Sequence, residues 1–375
     1  MKIRYSVAAL AVTSFVLGGA AAPGLAEVRP LNPAKVSTPP AALYAAGWLG
    51  RQFLASGDLP VSSGEAGLNN LSMALVALDS AEAGSDHARR GISYLEKHFT
   101  SYVSTSTGKT SVDLPGRLAQ AILAAVAMHV SPIHFGGTSR ANNLVARLLA
   151  TQAKTGTDAG LFGSPASPTY SSAYTQGLAL LALAAVGQPN KSGAQWLVAQ
   201  QCANGGWTSY RSSLETACPA EDPATYAGAD TNSTSMAVQA LVATKVSPRV
   251  SPLKFLEASQ YANGGFGYIG AVSGKQPVDP DSTALVIQAL VALKQLSNPA
   301  FRRSATTTPE AALAHFQLGC KAPASERGAY GYPGISGPNL IATIQAIPAA
   351  ARKAFPIGPA ALSSKLPTMS CPSTR

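Results

Sequence analysis

The sequence predicts an all-α protein, an (α/α)6 toroid in which six helical hairpins form an inner and an outer layer of helices. One pattern occurs twice, as WLVAQQCANGGW from Trp196 to Trp207 and as FLEASQYANGGFGY from Phe255 to Tyr268. Each copy is followed by a very apolar segment, 230–243 and 279–293, that indicates a second helix. A helix without a polar face must be buried on most sides. We therefore expect such helices inside a ring, since an open solenoid would expose its end units.

The first part of the chain predicts export. Lys2 and Arg4 precede a short apolar run and a small-residue cleavage site, so residues 1–26 are expected to be a signal peptide. The run is too short for a membrane span. Residues 27–40 are rich in proline and polar residues and are expected to form a flexible leader. The sequence thus predicts a protein that does not span a membrane and is secreted, extracellular or held in the cell envelope.

Six repeat units are expected over residues 41–350, followed by a C-terminal tail over 351–375. The units align on one position in each inner helix, called the anchor position: Met73, Gln120, Leu178, Gln239, Gln288 and Gln345. The outer helices of four units align on an aromatic–leucine pair, and Leu148 and Phe316 take its place in the third and sixth units. The fourth residue after this position is, in unit order, Phe53, Phe99, Gln152, Gln201, Gln260 and Cys320. A glycine-aromatic turn follows in four units. We expect the glutamine and the aromatic residue to fasten neighbouring helices together.

Cysteines and charge restrict the function. An exported chain with four cysteines is expected to carry two disulfides. Of the three pairings we favour Cys202 with Cys218, inside one repeat, and Cys320 with Cys371, which would pin the tail to the last repeat. No cysteine and histidine pattern indicates a metal site. The formal charge of +10 loses two with the signal peptide, giving +8, but the basic residues are scattered, unlike those of a nucleic-acid-binding surface.

Acidic residues at the predicted starts of the inner helices are the candidate functional groups. All inner helices of a ring begin at the same end, so their starts surround one mouth of the central cavity. Asp230, Asp279 and Asp281 lie there, and the alignment places Asp113 there as well. One interpretation is N-capping, in which these side chains accept amide hydrogen bonds. The other is a chemical role for the carboxyl groups.

The Gln-x-x-x-Gly-x-Trp spacing from Gln201 to Trp207, with its copy from Gln260 to Phe266, resembles the QW repeat of the terpenoid cyclase and protein prenyltransferase superfamily. The Asp-x-x-Ser-Thr sequences at 230–234 and 279–283 resemble that superfamily too. They are also similar to the helical domain of the cobalamin carriers intrinsic factor and transcobalamin. The resemblance covers about residues 41–350. It implies the toroid fold, which hosts many activities.

The cyclase resemblance implies a proton donor. Class II terpene cyclases carry an Asp-x-Asp-Asp motif whose middle acid protonates an alkene or an epoxide. Asp279 and Asp281 match its first two acids, so Asp281 would be the donor, while Ser282 stands in place of the last acid. The prenyltransferase branch is not supported. Its zinc ligands include a cysteine and a histidine, and the matching segments, 230–241 and 279–290, contain neither.

The carrier resemblance implies a corrinoid ligand. Those carriers cover the corrinoid with a second, β-rich domain, and we expect none here, because the six repeat units and the tail account for residues 41–375. Because the mouth residues form no complete catalytic set, we expect a non-catalytic module that needs no cofactor. It would hold a small ligand, or part of another protein such as an envelope component, over the mouth. The alternatives are a cyclase-like enzyme using Asp281 and an envelope scaffold. Tyrosines in the turns and loops add stacking surfaces. The candidate ligand-binding residues are Asp113, Asp230, Asp279, Asp281, Tyr174, Tyr226, Tyr268 and Tyr332.

Overall fold

The structure is a computed structural model that describes residues 37–60, 65–107, 110–163, 172–211, 216–270 and 277–372. The predicted signal peptide lies outside the described residues, as does the predicted leader up to residue 36. The chain from Thr38 onward forms one compact unit.

The described residues form twelve α-helices and one short hairpin of two strands. In chain order the helices are α1 (Pro40–Gln52), α2 (Glu65–Ser80), α3 (Ser85–Val103), α4 (Pro115–Ala127), α5 (Leu144–Ala150), α6 (Ala173–Ala185), α7 (Lys191–Ala199), α8 (Thr231–Thr244), α9 (Leu253–Ser259), α10 (Pro280–Ala292), α11 (Pro309–His315) and α12 (Leu340–Ala350). The strands β1 (Ser104–Thr107) and β2 (Thr110–Asp113) are antiparallel. None of the helices in the described segments has both the length and the hydropathy needed to cross a membrane.

The even-numbered helices close into a ring. Each packs against the next, from α2 through α4, α6, α8 and α10 to α12, and α12 packs back against α2. The odd-numbered helices lie outside this ring; α3, for example, packs on both α2 and α4. The predicted all-α toroid of six hairpins is confirmed. Because the chain returns through an outer helix between consecutive inner helices, all six inner helices run in one direction and begin at the same end of the ring.

The composition of the inner helices explains their position. In α8 every side chain from Met236 to Leu241 is buried, which is more than one full turn of helix. Small residues allow close approach: a Cβ on Gly177 of α6 would lie 3.0 Å from the carbonyl oxygen of Met236. Outer helices have two faces instead. In α3, Leu95 is buried while Arg89 is exposed.

A glutamine at the end of an outer helix fastens neighbouring units together, as the sequence predicts. The Nε2 of Gln201 donates hydrogen bonds to the carbonyl oxygens of Gly205 (2.9 Å) and Val250 (2.7 Å), in its own turn and in the next unit. Its Oε1 accepts a bond from the N–H of Val250 (3.0 Å). Gly205 has a φ of +92°, and a Cβ there would lie 2.6 Å from the carbonyl oxygen of Ser251. This turn therefore requires glycine.

In the sixth unit the sequence alignment is wrong by three residues. Gln317, and not Cys320, makes the fastening contact there. Its Nε2 donates to the carbonyl oxygens of Gly328 (3.0 Å) in its own turn and of Ala41 (2.8 Å) in the first unit. The error arises because α11 has seven residues and ends before Phe316, on which the alignment was based. The bond to Ala41 joins the last unit to the first and helps to close the ring.

Both predicted disulfides are confirmed. Cys202 is bonded to Cys218 within one repeat, and Cys320 is bonded to Cys371 near the C-terminus. The second bond ties the tail to the turn of the sixth unit. All four cysteines of the sequence are therefore paired.

The C-terminal tail runs across the far ends of the inner helices. The backbone N–H of Phe355 donates to Oε1 of Gln239 inside the ring (2.9 Å), and that of Ala360 donates to Oδ1 of Asp79 near the end of α2 (2.8 Å). The side chains of Phe355 and Ile357 are buried. Burial raises the pKa of the Asp79 carboxyl to about 6. The tail thus covers the end of the ring opposite the helix starts.

Candidate functional site

A cavity of about 330 Å³ lies where the inner helices begin. Its lining comes from α2, α4, α6 and α12, toward the start of each helix. The polar lining residues are Asn69, Asn70, Arg117, Gln120, Tyr174, Thr175 and Gln345. The apolar lining residues are Met73, Leu114, Leu178, Ile341 and Ile344. The cavity therefore offers both an apolar surface and hydrogen-bonding groups to one occupant.

Four of the six anchor residues belong to this lining, namely Met73, Gln120, Leu178 and Gln345. Because they occupy equivalent positions on four helices, they lie at a similar depth and form the floor of the cavity. Of the other two, Gln239 is bonded to the tail and Gln288 is buried. The position that aligned the repeats in the sequence thus marks the depth at which the cavity ends.

One wall of the cavity is held in place by a buried tyrosine of α3. The hydroxyl of Tyr102 donates a hydrogen bond to Oε1 of Gln120 (2.7 Å). The Nη1 of Arg117 donates to the carbonyl oxygen of Tyr102 (3.3 Å), and its guanidinium lies 5.9 Å from the centre of the Tyr102 ring. Both cavity side chains are therefore oriented before a ligand arrives, which favours binding.

Asp230 and Asp279 are N-caps. The Oδ1 of Asp230 accepts a bond from the N–H of Ser233 (2.6 Å), and that of Asp279 accepts one from the N–H of Ser282 (2.7 Å). The Ser282 hydroxyl donates to Oδ2 of Asp279 as well (2.9 Å). Burial raises the pKa of Asp230 to about 7 and raises that of Asp279. The capping interpretation therefore holds for these two residues.

Asp281 has a different environment. It lies in the first turn of α10, two residues after the capping residue Asp279, and its Oδ1 is buried without a hydrogen-bond partner in the described part of the chain. Burial raises its pKa to about 7, and the charge of Asp279 adds to this shift. A carboxyl group that does not cap its helix and lacks a partner is available for a ligand or for proton transfer.

Two of the predicted tyrosines, Tyr174 and Tyr332, lie near Asp281, and Tyr226 and Tyr268 continue the group. The hydroxyl of Tyr268 is hydrogen-bonded to the carboxyl of Asp230, not to that of Asp281. Burial, followed by the charge of Asp281, raises the pKa of Tyr174 to about 12. Burial and the charges of Asp279 and Asp281 raise that of Tyr332 to about 12, and Tyr226 contributes to the same shift. The rings of Tyr226 and Tyr268 meet edge to face, with centroids 5.7 Å apart. We call these residues the mouth cluster: Tyr174, Tyr226, Tyr268, Tyr332 and Asp281.

Asp113 lies two residues before the first residue of α4, as the alignment predicts, but it does not line the cavity. It lies at the end of β2, and its carboxylate pairs with the guanidinium of Arg147 on α5, at 2.6 Å and 3.0 Å. Arg147 belongs to an outer helix, and neither member of the pair is part of the cavity lining. Alignment alone could not show this, because the hairpin before α4 has no counterpart in the other described units. Asp113 therefore takes a structural role in joining β2 to α5.

Sequence reasoning did not select the cavity side chains Asn69, Arg117 and Gln120. Gln120 served only as an alignment position. Arg117 lies three residues before that anchor, hence on the same face of α4. A charged residue on the inward face of an otherwise apolar helix was the signal that could have identified it. No group of three or more His, Cys, Asp and Glu side chains in the described segments is placed to hold a metal ion.

No protein-family model matches the sequence, and no characterised protein matches it in a comparison of sequences. Solved structures are similar in fold. The type II terpene cyclase MstE from Scytonema matches with a TM-score of 0.55 and 12% identity over 83% of this chain and 96% of that one. An unsaturated glucuronyl hydrolase specific for heparin matches with a TM-score of 0.54 and 14% identity over 83% and 95%.

A novel α-amylase from Clostridium perfringens matches with a TM-score of 0.54 and 10% identity over 83% of this chain and 97% of that one. Identities this low establish a shared fold and nothing about the reaction. The three proteins are also named for different substrates, which agrees with the rule that one fold carries many functions. The site itself must therefore indicate the function.

Proposed function

We propose that this toroid binds a small amphipathic organic molecule in the cavity at the helix starts. The observation that carries the proposal is a cavity of about 330 Å³ whose floor is built from four equivalent anchor residues. This volume is at the lower end of the range for small-molecule sites. The cavity lies at the end of the ring where the inner helices begin, and the tail covers the other end.

The lining indicates how the molecule would lie. The apolar body of the molecule would pack on Leu114, Leu178 and Ile344, so that its apolar surface is removed from water. An anionic or oxygen-rich group would face Arg117 and the side-chain amide of Gln120. A medium-chain carboxylate has both features. The two disulfides indicate an oxidising compartment, which supports an exported protein that meets its ligand outside the cytoplasm.

The test is to fill the cavity. Decanoate is expected to bind the full chain and raise its melting temperature, and Leu178→Trp is expected to weaken this binding by about tenfold or more, because the indole would occupy the space above the floor. Titration calorimetry measures the change. Leu54→Trp is the matched control, since Leu54 is 46% exposed and is not part of the cavity lining. Its affinity for decanoate should equal that of the original protein.

Other ligands distinguish the remaining interpretations. Cyanocobalamin tests the corrinoid expected from the carrier resemblance, and a corrinoid, being larger than the cavity, would have to lie over the mouth. Binding of cyanocobalamin that is insensitive to Leu178→Trp, without binding of decanoate, would contradict the cavity proposal. Absence of binding by both compounds would favour an envelope scaffold.

Acid catalysis by Asp281 is a second candidate function. Its support is the partly exposed, non-capping carboxyl whose pKa is raised to about 7, beside the cavity residue Tyr174. The proton of this carboxyl would add to an alkene carbon, and the π electrons would form the new C–H bond. The resulting carbocation would close a ring and then lose a proton, so the product would be an isomer of the substrate.

This candidate predicts isomerisation of a polyene. Geranylgeraniol incubated with the protein is expected to give cyclic isomers of unchanged mass, detected by gas chromatography with mass spectrometry. Asp281→Asn should abolish the reaction. Asp79→Asn, at a buried aspartate at the far end of the ring, should retain it. If geranylgeraniol is recovered unchanged, or if both variants behave alike, acid catalysis by Asp281 is excluded for this class of substrate.

A further inference from the structure

We propose that the mouth cluster binds an alkylated ammonium group of the ligand. This inference rests on the proposed ligand-binding function and adds a charge and a chemical class to the molecule. The cationic nitrogen would lie among the tyrosine rings with Asp281 as its counter-ion, while the apolar part enters the neighbouring cavity.

The first support is the convergence of aromatic rings from separate parts of the chain. Tyr174 belongs to α6, Tyr226 and Tyr268 to the loops before α8 and α10, and Tyr332 to the loop before α12. Tyr226 and Tyr268 stand at 65° to each other, so they can present two sides of a cage. Tyr226 is 58% exposed, so part of its ring is accessible to a ligand at the mouth. Aromatic faces at an angle around a common space are suited to an alkylated cation.

The second support is the unpaired state of Asp281. No ion pair in the described part of the chain includes this residue. The neighbouring charge that acts on it is that of Asp279, which repels, and its Oδ1 is buried without a hydrogen-bond partner. Although the chain has a formal charge of +10, none of the described Lys, Arg and His residues forms an ion pair with this carboxyl group. A ligand cation would supply that charge in a partly desolvated place, where the attraction is strongest.

The position of the cluster also fixes the orientation of the ligand. Tyr174 lines the cavity and is close enough to Asp281 for that charge to raise its pKa, so it joins the two parts of the site. Arg117 stands on α4, three helices from α10 in either direction around the ring of six. A ligand cation would avoid the guanidinium and bind on the Asp281 side. An acidic group, where present, would point to Arg117.

Choline and its neutral isostere 3,3-dimethylbutan-1-ol provide the test, because they differ in charge but hardly in shape. In titration calorimetry at about pH 8, choline is expected to bind at least about tenfold more tightly than the isostere. Asp281→Asn should lower the affinity for choline by about tenfold, and Tyr226→Ala, at an exposed position, by a few-fold. Asp79→Asn is the matched control and should leave it unchanged.

Affinity should also depend on pH. Between about pH 8 and pH 6 choline binding is expected to weaken by up to about tenfold, as the Asp281 carboxyl takes up a proton. The groups facing it are Asp279 at the start of the same helix, Tyr174 of α6 and Tyr332 before α12. The two tyrosines stay neutral across this interval. Burial also raises the pKa of Asp230, which is hydrogen-bonded to Tyr268 of the cluster, to about 7, so the part of the pH dependence that belongs to Asp281 is the part that disappears in Asp281→Asn.

Equal affinities for choline and its isostere would overturn the proposal, as would equal losses in Asp281→Asn and Asp79→Asn. Tyr226→Ala keeps the test valid if Asp281→Asn does not fold. If choline fails these criteria while decanoate binding still depends on Leu178, the ammonium site is wrong and the cavity function stands. Failure of both ligands would overturn both.

Discussion

Replacing Trp207 with alanine is expected to lower the free energy of unfolding by about 3–5 kcal/mol. The indole is completely buried, and its Nε1 donates a hydrogen bond to the carbonyl oxygen of Leu197 on α7 (2.7 Å). The backbone N–H of Trp207 donates to Oγ1 of Thr234 on α8 (2.9 Å). One residue thus joins an outer helix, a turn and an inner helix. Removing the indole leaves a cavity, because the two helices and the turn around it cannot move together to fill the space.

Two variants separate the causes of this loss. Trp207→Phe keeps most of the side-chain volume and loses the Nε1 hydrogen bond, so it should lower the free energy of unfolding by about 1–2 kcal/mol. A phenylalanine fits this position, because the equivalent residue of the next unit is the buried Phe266. Tyr226→Ala removes an exposed aromatic side chain and should change stability by less than about 0.5 kcal/mol. Guanidinium denaturation followed by circular dichroism measures all three. Similar values for Trp207→Ala and Tyr226→Ala would contradict the assigned role.

Removal of the disulfide between Cys320 and Cys371 by double substitution with serine is expected to destabilise the protein by about 4 kcal/mol. The two cysteines are 51 residues apart, and the entropy that a cross-link removes from the unfolded chain grows with this separation. The loss should appear in denaturation under oxidising conditions. We also expect faster proteolysis after Lys353 and Lys365, because the tail would no longer be held at both ends.

The other disulfide provides the comparison. Cys202 and Cys218 are 16 residues apart, so the same relation predicts a smaller loss, about 3 kcal/mol, when both are replaced by serine. Proteolysis in the tail should not change in that variant. A larger loss for this pair than for Cys320 and Cys371 would show that loop entropy does not account for the contribution of the tail disulfide.

Several parts of the site follow from local sequence. Asp230 and Asp279 each precede an apolar helix and have a serine three residues later, and both are caps. Gln201 was expected to fasten neighbouring helices, and it bonds to Gly205, four residues later, and to Val250 of the next unit. Such contacts span a few residues, so spacing along the chain is enough to identify them. Asp281 was selected by the same local pattern, yet its missing partner is visible only in the structure.

Other parts depend on distant residues. Asp113 matched an inner-helix start by alignment, but a hairpin brings its carboxylate to Arg147, 34 residues further on. Gln317 bonds to Ala41, 276 residues away, only because the ring closes. Repeat spacing cannot show these contacts, because loops of different length separate the units and redirect the side chains between them.

By itself, the sequence determined the helices, their inner or outer position and the count of units, because helical periodicity and apolar composition are repeated in each unit. It favoured one of three disulfide pairings, which the structure then confirmed. The tertiary structure alone decided which inward-facing side chains meet in one cavity. It also decided that the tail covers the far end of the ring, and that Asp281 lies near Tyr174 and Tyr332 without an ion-pair partner in the described part of the chain. The physical reason is closure: joining the sixth unit to the first brings into contact residues that the chain keeps hundreds of positions apart.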